Sequence, residues 1–267
     1  MAKGMLIDTT RCIGCRGCQV SCKAWNELGT SGAAFSETGT YPRHLDANNF
    51  TRVLFREVAA EGGRVRSVFL KRQCMHCVEP ACEAACPVGA LTKTKDGPVV
   101  YEDARCIGCR YCMVACPFNV PKFQWEARAP YVRKCTFCAD RQALGMKPAC
   151  AQTCPAEAIT FGERSELVAE AHRRFAASPG KYAPTVYGEK TAGGTSVLYL
   201  SAVPFELLAL AAEGFRTDLG EEPHGRATRE WMAKVPWLGL TVGGLALGLY
   251  HLNQRASAVQ DEERKEG

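Results

Sequence analysis

The alternation of apolar and polar residues predicts a chain built from short strands and a few helices. Short apolar or alternating runs that indicate strands occur at residues 5–8, 65–70, 158–161 and 196–201. Two further runs, 90–93 and 99–101, flank Asp96 and Gly97, a pair of residues typical of a hairpin turn. Residues 163–178 carry apolar side chains at helical spacing with charged residues opposite. The pattern therefore favours an α+β fold with small elements.

A second pattern, near the C-terminus, predicts a transmembrane helix. Residues 235–252 form a run of eighteen residues without Asp, Glu, Lys or Arg. As a helix, this run would reach roughly 27 Å, just enough for the apolar core of a bilayer. Trp231, Trp237 and Tyr250 stand where aromatic belts occur, whereas the flanking Lys and Arg residues do not decide the orientation. The alternative is a buried helix of a soluble protein, in which the four glycines of the run would be costly.

The cysteine content changes this picture from a general α+β protein to a metal-binding one. The chain has 267 residues, enough for one or two domains, and contains 16 cysteines. They fall into four groups of four: Cys12, Cys15, Cys18 and Cys22; Cys74, Cys77, Cys82 and Cys86; Cys106, Cys109, Cys112 and Cys116; and Cys135, Cys138, Cys150 and Cys154. Such grouping disfavours a disulfide framework. A tetrahedral zinc site needs two separated pairs of cysteines, so the third cysteine of each closely spaced triplet would be surplus. Iron–sulfur clusters fit the spacing best.

The third group carries the most specific spacing. Residues 106–117 read C-x2-C-x2-C-x3-C-P, the spacing with which bacterial ferredoxins hold [4Fe–4S] clusters. In two-cluster ferredoxins of this kind, the first three cysteines bind one cluster and the fourth binds its neighbour. Groups two and three follow one another as such a repeat, and groups one and four resemble the separated halves of a second repeat. Four [4Fe–4S] clusters are therefore expected.

Exchange of the fourth ligand within each pair of groups predicts four ligand sets, named A to D. Set A is Cys12, Cys15, Cys18 and Cys154; set B is Cys135, Cys138, Cys150 and Cys22; set C is Cys74, Cys77, Cys82 and Cys116; and set D is Cys106, Cys109, Cys112 and Cys86. Each cluster would then have four thiolates and no iron open to a substrate, which indicates electron transfer rather than catalysis. His76, between Cys74 and Cys77, is expected to serve the loop rather than to bind iron.

The ligand sets determine the predicted domain organisation. Two pseudo-symmetric ferredoxin-like units are expected, one inserted in the other, followed by the transmembrane helix. The predicted segments are an outer unit split between 1–30 and 134–165, an insertion at 31–64 with a hairpin near 50–58, an inner unit at 65–133, an extended tail at 166–234, the transmembrane helix at 235–252 and a solvated tail at 253–267. Each unit is expected to hold two clusters.

The net charge does not point to nucleic acid as a partner. The formal charge is +5, but ligation of sixteen thiolates would make the loaded protein slightly negative. Basic residues beside the cysteine groups are therefore expected to compensate the clusters and raise their potentials, an ordinary solvated basic surface being the alternative. These residues are Lys71, Arg72, Arg105, Arg110, Arg133 and Lys134. Because no signal peptide or twin-arginine motif precedes Cys12, export is expected only together with a signal-bearing partner.

The order of the cysteine groups, with an interrupted fourth group and a C-terminal anchor, resembles the iron–sulfur (beta) subunits of molybdopterin oxidoreductases. Residues 12–26 are similar to formate dehydrogenase beta subunits, and residues 73–77, 111–122 and 187–195 also resemble the anchored iron–sulfur subunit of a periplasmic nickel–iron hydrogenase. The resemblance implies a catalytic partner with a molybdenum or tungsten pterin, and a membrane cytochrome b partner that delivers electrons to quinone. It also implies an inner-membrane protein with a single span and a periplasmic head, although the sequence fits a cytoplasmic head equally.

Other functions stay open from the sequence alone. The same relay could serve a nickel–iron hydrogenase or another molybdenum reductase, such as one that acts on sulfur compounds. A free-standing polyferredoxin is a further alternative, against which the predicted membrane helix argues. The last alternative is a structural zinc protein, which iron and sulfide found in the purified protein would exclude. The chain has no Ser/His/Asp arrangement and no Gly-rich nucleotide loop, so substrate chemistry is expected in a partner.

Overall fold

A central three-stranded sheet organises the head of the protein. The computed structural model describes residues 2–30, 32, 39–59, 63–209 and 215–266, with side chains as far as residue 257. Strand β1 (Lys3–Asp8) lies in the middle of this sheet, antiparallel to β8 (Ile159–Glu163) and parallel to β9 (Val197–Leu200). The N-terminus, the segment after the fourth cysteine group and part of the predicted tail therefore meet in one sheet.

Strand β1 is buried because both of its faces are covered. Met5 and Ile7 belong to the main hydrophobic core. This core also contains cysteines of the first, second and fourth groups, and Cys116 of the third group packs against it. Leu6 points to the opposite face and packs with Leu167 and Ala171 of helix α6 (Arg164–Ala177). The period of two along a strand thus sends alternate side chains into two different cores.

Three two-stranded hairpins complete the sheet structure. They pair β2 (Arg52–Ala59) with β3 (Val65–Arg72), β4 (Leu91–Lys93) with β5 (Val99–Tyr101), and β6 (Lys122–Phe123) with β7 (Val132–Arg133). The strands predicted at 5–8, 65–70, 158–161 and 196–201 are confirmed, as is the hairpin around 96–97. The first hairpin joins the predicted insertion to the first strand of the predicted inner unit. Residues 31, 33–38 and 60–62 of that insertion lie outside the described part of the chain.

Short helices follow the cysteine-rich loops. They are α1 (Gly17–Trp25), α2 (Ala81–Ala84), α3 (Tyr111–Ala115), α4 (Ala139–Ala143) and α5 (Ala149–Gln152). Helices of one or two turns are not stable alone, so their conformation depends on the packing around them. Four of these helices carry a cysteine that faces the interior, namely Cys18, Cys82, Cys112 and Cys150.

The segment predicted as an extended tail folds back over the head. It contributes α6 and β9, and a cluster of aromatic rings anchors the chain beyond them. The ring of Phe215 lies 4.6 Å from that of Tyr187, 4.7 Å from that of Tyr199 and 5.2 Å from that of Phe205, measured between centroids. Such edge-to-face contacts add to the burial of the rings.

Helix α7 (His224–Glu266) leaves the head as one long element with Pro236 inside it. Its first turn is docked closely, since a Cβ atom at Gly225 would lie 2.5 Å from the carbonyl oxygen of Glu79. Arg226 also pairs with the Glu79 carboxylate at 3.0 Å. The segment His224–Ser257 is long and apolar enough to cross a membrane. The helical backbone continues through most of the predicted solvated tail, whose side chains from 258 onward lie outside the description.

A buried carboxylate fastens α6 to the end of β1. Asp8 is fully buried, and its Oδ2 accepts hydrogen bonds from Arg174 Nη1 and from the Tyr182 hydroxyl, both at 3.0 Å. We expect Arg174→Ala to lower the free energy of unfolding by about 2–3 kcal/mol, because it leaves the buried Asp8 carboxylate short of a charged donor. Urea unfolding in detergent, with the cluster content held equal, measures this effect.

The neighbouring Arg173→Ala substitution is the matched control. Arg173 pairs at the surface with Glu170, a carboxylate that Arg174 also contacts. An exposed pair contributes roughly 0–1 kcal/mol, so Arg173→Ala should leave the urea midpoint almost unchanged. Equal losses in the two variants would contradict the role assigned to Asp8.

Candidate metal centres

The four C-x-x-C loops share one backbone feature. In each loop the residue before the second cysteine has a positive φ: Gly14 (70°), His76 (49°), Gly108 (71°) and Phe137 (61°). A left-handed residue at such a position turns successive N–H groups to the same side, forming a concavity that binds anions such as iron–sulfur clusters. The N–H groups of Gly108 and Phe137 point at the first sulfur of their loops, Cys106 and Cys135, at 3.4 Å. The loops are therefore shaped to hold negatively charged sulfur.

Set A is gathered from the two ends of the head. Burial raises the pKa of the Cys12 thiol, and Cys154 and Cys15 are the cysteines whose charges raise it further. Burial also raises the pKa of Cys18 to about 12, and Cys12 and Cys154 are again among its charged neighbours. The pairing of β1 with β8 is what brings these distant segments together.

Set B lines a single, largely enclosed cavity. All four of its predicted members face this cavity: Cys22, Cys135, Cys138 and Cys150. Burial raises the pKa of Cys22 well above its ordinary value, and the charges of the other three cysteines raise it further. Asn26 adds a donor, with its Nδ2 at 3.7 Å from the Cys22 sulfur. The donor set is thus all sulfur, with a polar side chain directed at it.

In set C, Cys77 of the second group lies near cysteines of both the second and the third groups. Burial raises the pKa of Cys77 well above its ordinary value, and its charged neighbours are Cys116, Cys74 and Cys82. Cys116 belongs to the third group in the sequence but lies beside the cysteines of the second.

In set D, Cys112 of the third group lies near Cys86 of the second group. The pKa of Cys112 is raised to about 12, chiefly by burial. The nearby cysteines Cys86, Cys109 and Cys106 also raise it. Cys86 comes from the second group, and its sulfur also accepts a hydrogen bond from the Ala90 N–H at 3.2 Å. In each of the four predicted sets, a buried cysteine interacts electrostatically with the other members.

Electrostatic interactions between cysteines of different sets link A to B, B to C and C to D. Cys150 of set B is a charged neighbour of Cys18 of set A. Cys74 of set C is the first charged neighbour of Cys135 of set B. Cys112 of set D in turn acts on Cys82 of set C. Each link joins one set to the next in this order.

The thiols are not gathered as ligands of single ions. Among the described residues, no three His, Cys, Asp or Glu side chains come together as they do around one metal ion. With Zn–S bonds of about 2.3 Å, the sulfurs of a tetrahedral zinc site lie roughly 3.8 Å apart. The described cysteines are therefore not spaced like the ligands of a single zinc ion.

Three basic side chains are buried between the cysteine sets. Lys71, Arg72 and Lys134 are 2%, 4% and 3% exposed. Within the described residues, none of the three forms an ion pair with a carboxylate. Burial alone would lower the pKa of Lys71, but the charges of Cys150 and Cys18 raise it above its ordinary value. A buried cation needs a negative partner, so this interior is built to hold a negatively charged group.

Two other basic residues near the cysteines, Arg105 and Arg110, have ordinary surface roles. Arg105 is exposed and pairs with Glu102 at 2.7 Å. Arg110 is also exposed, and its guanidinium lies 5.0 Å from the ring centroid of Trp125. The expected compensation of cluster charge is therefore supported for the three buried cations rather than for these two.

His76 is the histidine that the structure places nearest to the cysteines. It is fully buried, and its ring is stacked on Phe137 with centroids 4.6 Å apart and planes inclined by 23°. Its Nδ1 accepts a hydrogen bond from the Val99 N–H at 2.9 Å. Sequence reasoning placed His76 in a loop but could not identify Phe137, which lies in a different cysteine group, as its neighbour.

Comparison with known proteins agrees with this geometry. Models of the 4Fe-4S dicluster domain match residues 65–164 and residues 11–90. Together the two matches contain all four cysteine groups, so [4Fe–4S] clusters are the cofactors of this chain. Their overlapping boundaries differ from those of the predicted nested units.

The chain is similar to curated proteins of two kinds. It is 39% identical over 245 residues to the hydrogenase-2 operon protein HybA of Escherichia coli O157:H7, covering 78% of this chain and 72% of the relative. It is 42% identical over 200 residues to the formate dehydrogenase iron–sulfur subunit of Haemophilus influenzae, covering 73% and 63%. It is 38% identical over 198 residues to the nitrate-inducible formate dehydrogenase iron–sulfur subunit of Escherichia coli K12, covering 73% and 66%. The chain thus spans about two thirds of the length of these relatives.

The position of Lys71 predicts an effect on reduction potentials. Lys71→Met removes a positive charge beside sets A and B, and reduction of a cluster there should become harder by roughly 60 mV, about tenfold in the one-electron equilibrium. A redox titration followed by EPR measures the shift. Lys147→Met is the control, because Lys147 is exposed although it lies between Cys138 and Cys150. A shift of equal size in both variants would mean that burial of Lys71 is irrelevant.

Proposed function

Because the chain belongs to the family of iron–sulfur subunits that includes those of formate dehydrogenases and HybA of hydrogenase-2, we propose that it relays electrons between a catalytic partner and the membrane quinone pool through four [4Fe–4S] clusters. The observation that carries the proposal is the linear order of four all-cysteine sets, from A to D. A relay needs such a row, whereas a catalytic centre needs a position open to substrate.

The proposed ligands are the four sets as predicted. Sets A and B combine the first and fourth cysteine groups, and sets C and D exchange Cys116 and Cys86 between the second and third. The charged neighbours of Cys12, Cys22, Cys77 and Cys112 support this assignment. The cavity that Cys22 shares with Cys135, Cys138 and Cys150 supports it for set B independently.

The chain's own residues would provide three things to these sites. Thiolates bind the iron, left-handed loop residues direct N–H groups at sulfur, and buried cations offset the negative charge. Bound clusters supply one-electron reduction and oxidation. Burial of set members such as Cys82 and Cys135 among apolar side chains excludes water, which strengthens every nearby electrostatic interaction.

We propose that set D is the membrane end of the row. The helix that carries Cys112 also carries Tyr111 and Val114, which line an apolar groove together with Trp231 and Val235 of α7. This groove lies where α7 leaves the head, at the beginning of the proposed membrane span. A membrane cytochrome b subunit is the proposed partner there, and set A would face the catalytic subunit at the opposite end.

The domain organisation proposed is one ferredoxin-like unit inserted in another. Pairing of β1 with β8 supports it, since these strands flank the first and fourth cysteine groups. The cysteines of sets C and D all lie between them in the sequence. Helix α7 is proposed as a single span in the inner membrane with the head in the periplasm.

The proposed catalytic partner is a formate dehydrogenase subunit with a molybdenum or tungsten pterin. A nickel–iron hydrogenase is the second candidate, and the similarity to HybA over 245 residues favours it specifically. Both partners would need the same relay. The choice between them therefore depends on the complex and not on this chain.

Purification of the native complex tests the proposed function. We expect about sixteen iron atoms per chain, four for each cluster, and formate-dependent dye reduction with molybdenum or tungsten present. Hydrogen-dependent reduction with nickel present would select the hydrogenase instead. A colourless, zinc-loaded protein, or a soluble chain without partners at native expression, would refute the relay itself.

Exchange of the fourth ligand predicts the effect of replacing Cys116. Cys116→Ala should chiefly damage the cluster of Cys74, Cys77 and Cys82, although Cys116 lies in the third group. EPR of the reduced protein should show the loss of that signal, with the signal of set D retained. Cys86→Ala is the reciprocal control and should affect set D; the opposite pattern in the two variants would disprove the exchange.

A further inference from the structure

A pair of stacked rings lies at the junction between sets B and C. His76 is in the loop of set C, between Cys74 and Cys77, and Phe137 is in the loop of set B, between Cys135 and Cys138. The two rings are 0% and 1% exposed and their centroids are 4.6 Å apart. Cys74 and Cys135 are also charged neighbours. The stack therefore lies where the two proposed ferredoxin-like units meet.

The hydrogen bonds of His76 fix the tautomer of its ring. Nδ1 accepts the Val99 N–H at 2.9 Å, so in the neutral ring the proton is on Nε2. The backbone is held as well, because the His76 carbonyl accepts bonds from Lys93 Nζ at 3.1 Å and from the Ser196 N–H at 3.0 Å. The ring therefore has little freedom to turn towards another acceptor.

The Nε2–H of His76 lacks an acceptor among the described protein atoms. The atom is buried and makes no hydrogen bond. A buried donor without a partner typically costs 1–3 kcal/mol, and native proteins seldom leave one. The stack with Phe137 and the position between Cys74 and Cys77 leave cluster sulfur as the chemically fitting acceptor.

We propose that the Nε2–H of His76 donates a hydrogen bond to a cluster sulfur at the junction of sets B and C and raises the potential of that cluster. The inference rests on the proposed ligation of four clusters. A donor directed at sulfur stabilises the more negative, reduced form. His76 thus adjusts the step that crosses from the outer unit to the inner one.

Two substitutions separate the hydrogen bond from the ring stack. His76→Phe keeps an aromatic ring but lacks both the Nε2 donor and the Nδ1 acceptor. Phe137 shows that the equivalent left-handed position of another loop accepts phenylalanine, at φ 61°. His76→Gln keeps an N–H donor near the place of Nε2 without the ring. Redox titration followed by EPR should show one cluster reduced about tenfold less readily in His76→Phe, equal to 59 mV for one electron, and nearly unchanged in His76→Gln.

His172→Phe is the matched control for loss of a histidine. Its ring is half exposed and pairs with Glu189 at 3.1 Å, away from the cysteines. Iron content must equal that of the unaltered protein in every variant compared. A His76→Phe shift no larger than that of His172→Phe would overturn the proposal, and so would equal shifts in His76→Phe and His76→Gln.

A measurement on the unaltered chain does not depend on how the variants fold. With ¹⁵N-labelled histidine, electron spin-echo modulation of the reduced protein should reveal coupling of one cluster to a histidine nitrogen. The absence of this coupling in a protein with full iron content would refute the role of His76 while leaving the relay intact. A protein without [4Fe–4S] signals would refute the proposed function instead.

Discussion

The pairing of β1 with β8 and β9 is the contact on which the arrangement of the head depends. Most other elements are hairpins or helices of a few residues, and their pairings are local in the chain. Only a long-range pairing can bring the first cysteine group beside the fourth. The burial of β1 on both faces stabilises that pairing, and Asp8 extends it to α6 through Arg174 and Tyr182. The first and fourth cysteine groups are thus held together by strand contacts within the core.

Many thiols are buried in an apolar interior, and buried cations lie beside them. A thiolate in such surroundings is unfavourable unless iron or a positive charge lies close to it. Lys71, Arg72 and Lys134 supply that charge near the middle sets, where exposure to water is least. The outermost basic residues stay at the surface. Positive charge is therefore buried beside the middle sets of the row and exposed to solvent near its ends.

Much of the local structure could be predicted from sequence, because it depends on neighbouring residues. Alternation identified β1, β3, β8 and β9, and cysteine spacing identified the groups that the structure gathers. Long-range features were less accessible. The parallel pairing of β9 with β1 turns the expected tail into a part of the central sheet, and no local pattern encodes such a partner.

The same distinction holds within the site. Glycines at positions 14 and 108 hint at left-handed loops, but His76 and Phe137 adopt that conformation without any such signal. Lys71 and Arg72 end a strand where charged residues are usually solvated, and their burial follows from how the hairpin packs. Contacts between two loops far apart in the chain, such as the stack of His76 on Phe137, depend on the assembled fold.

The closure of the sheet by β8 also has a consequence for the order of synthesis. Chains fold as they emerge, N-terminal segments first. The cysteines of sets C and D are all present once Cys116 has been made, whereas sets A and B are incomplete until Cys154 follows. Strand β1 has neither of its neighbours until residues 159–163 and 197–200 are made. On the proposed ligation, a nascent chain would therefore hold every cysteine of its inner sites before the fourth cysteine proposed to join Cys12, Cys15 and Cys18 has been made.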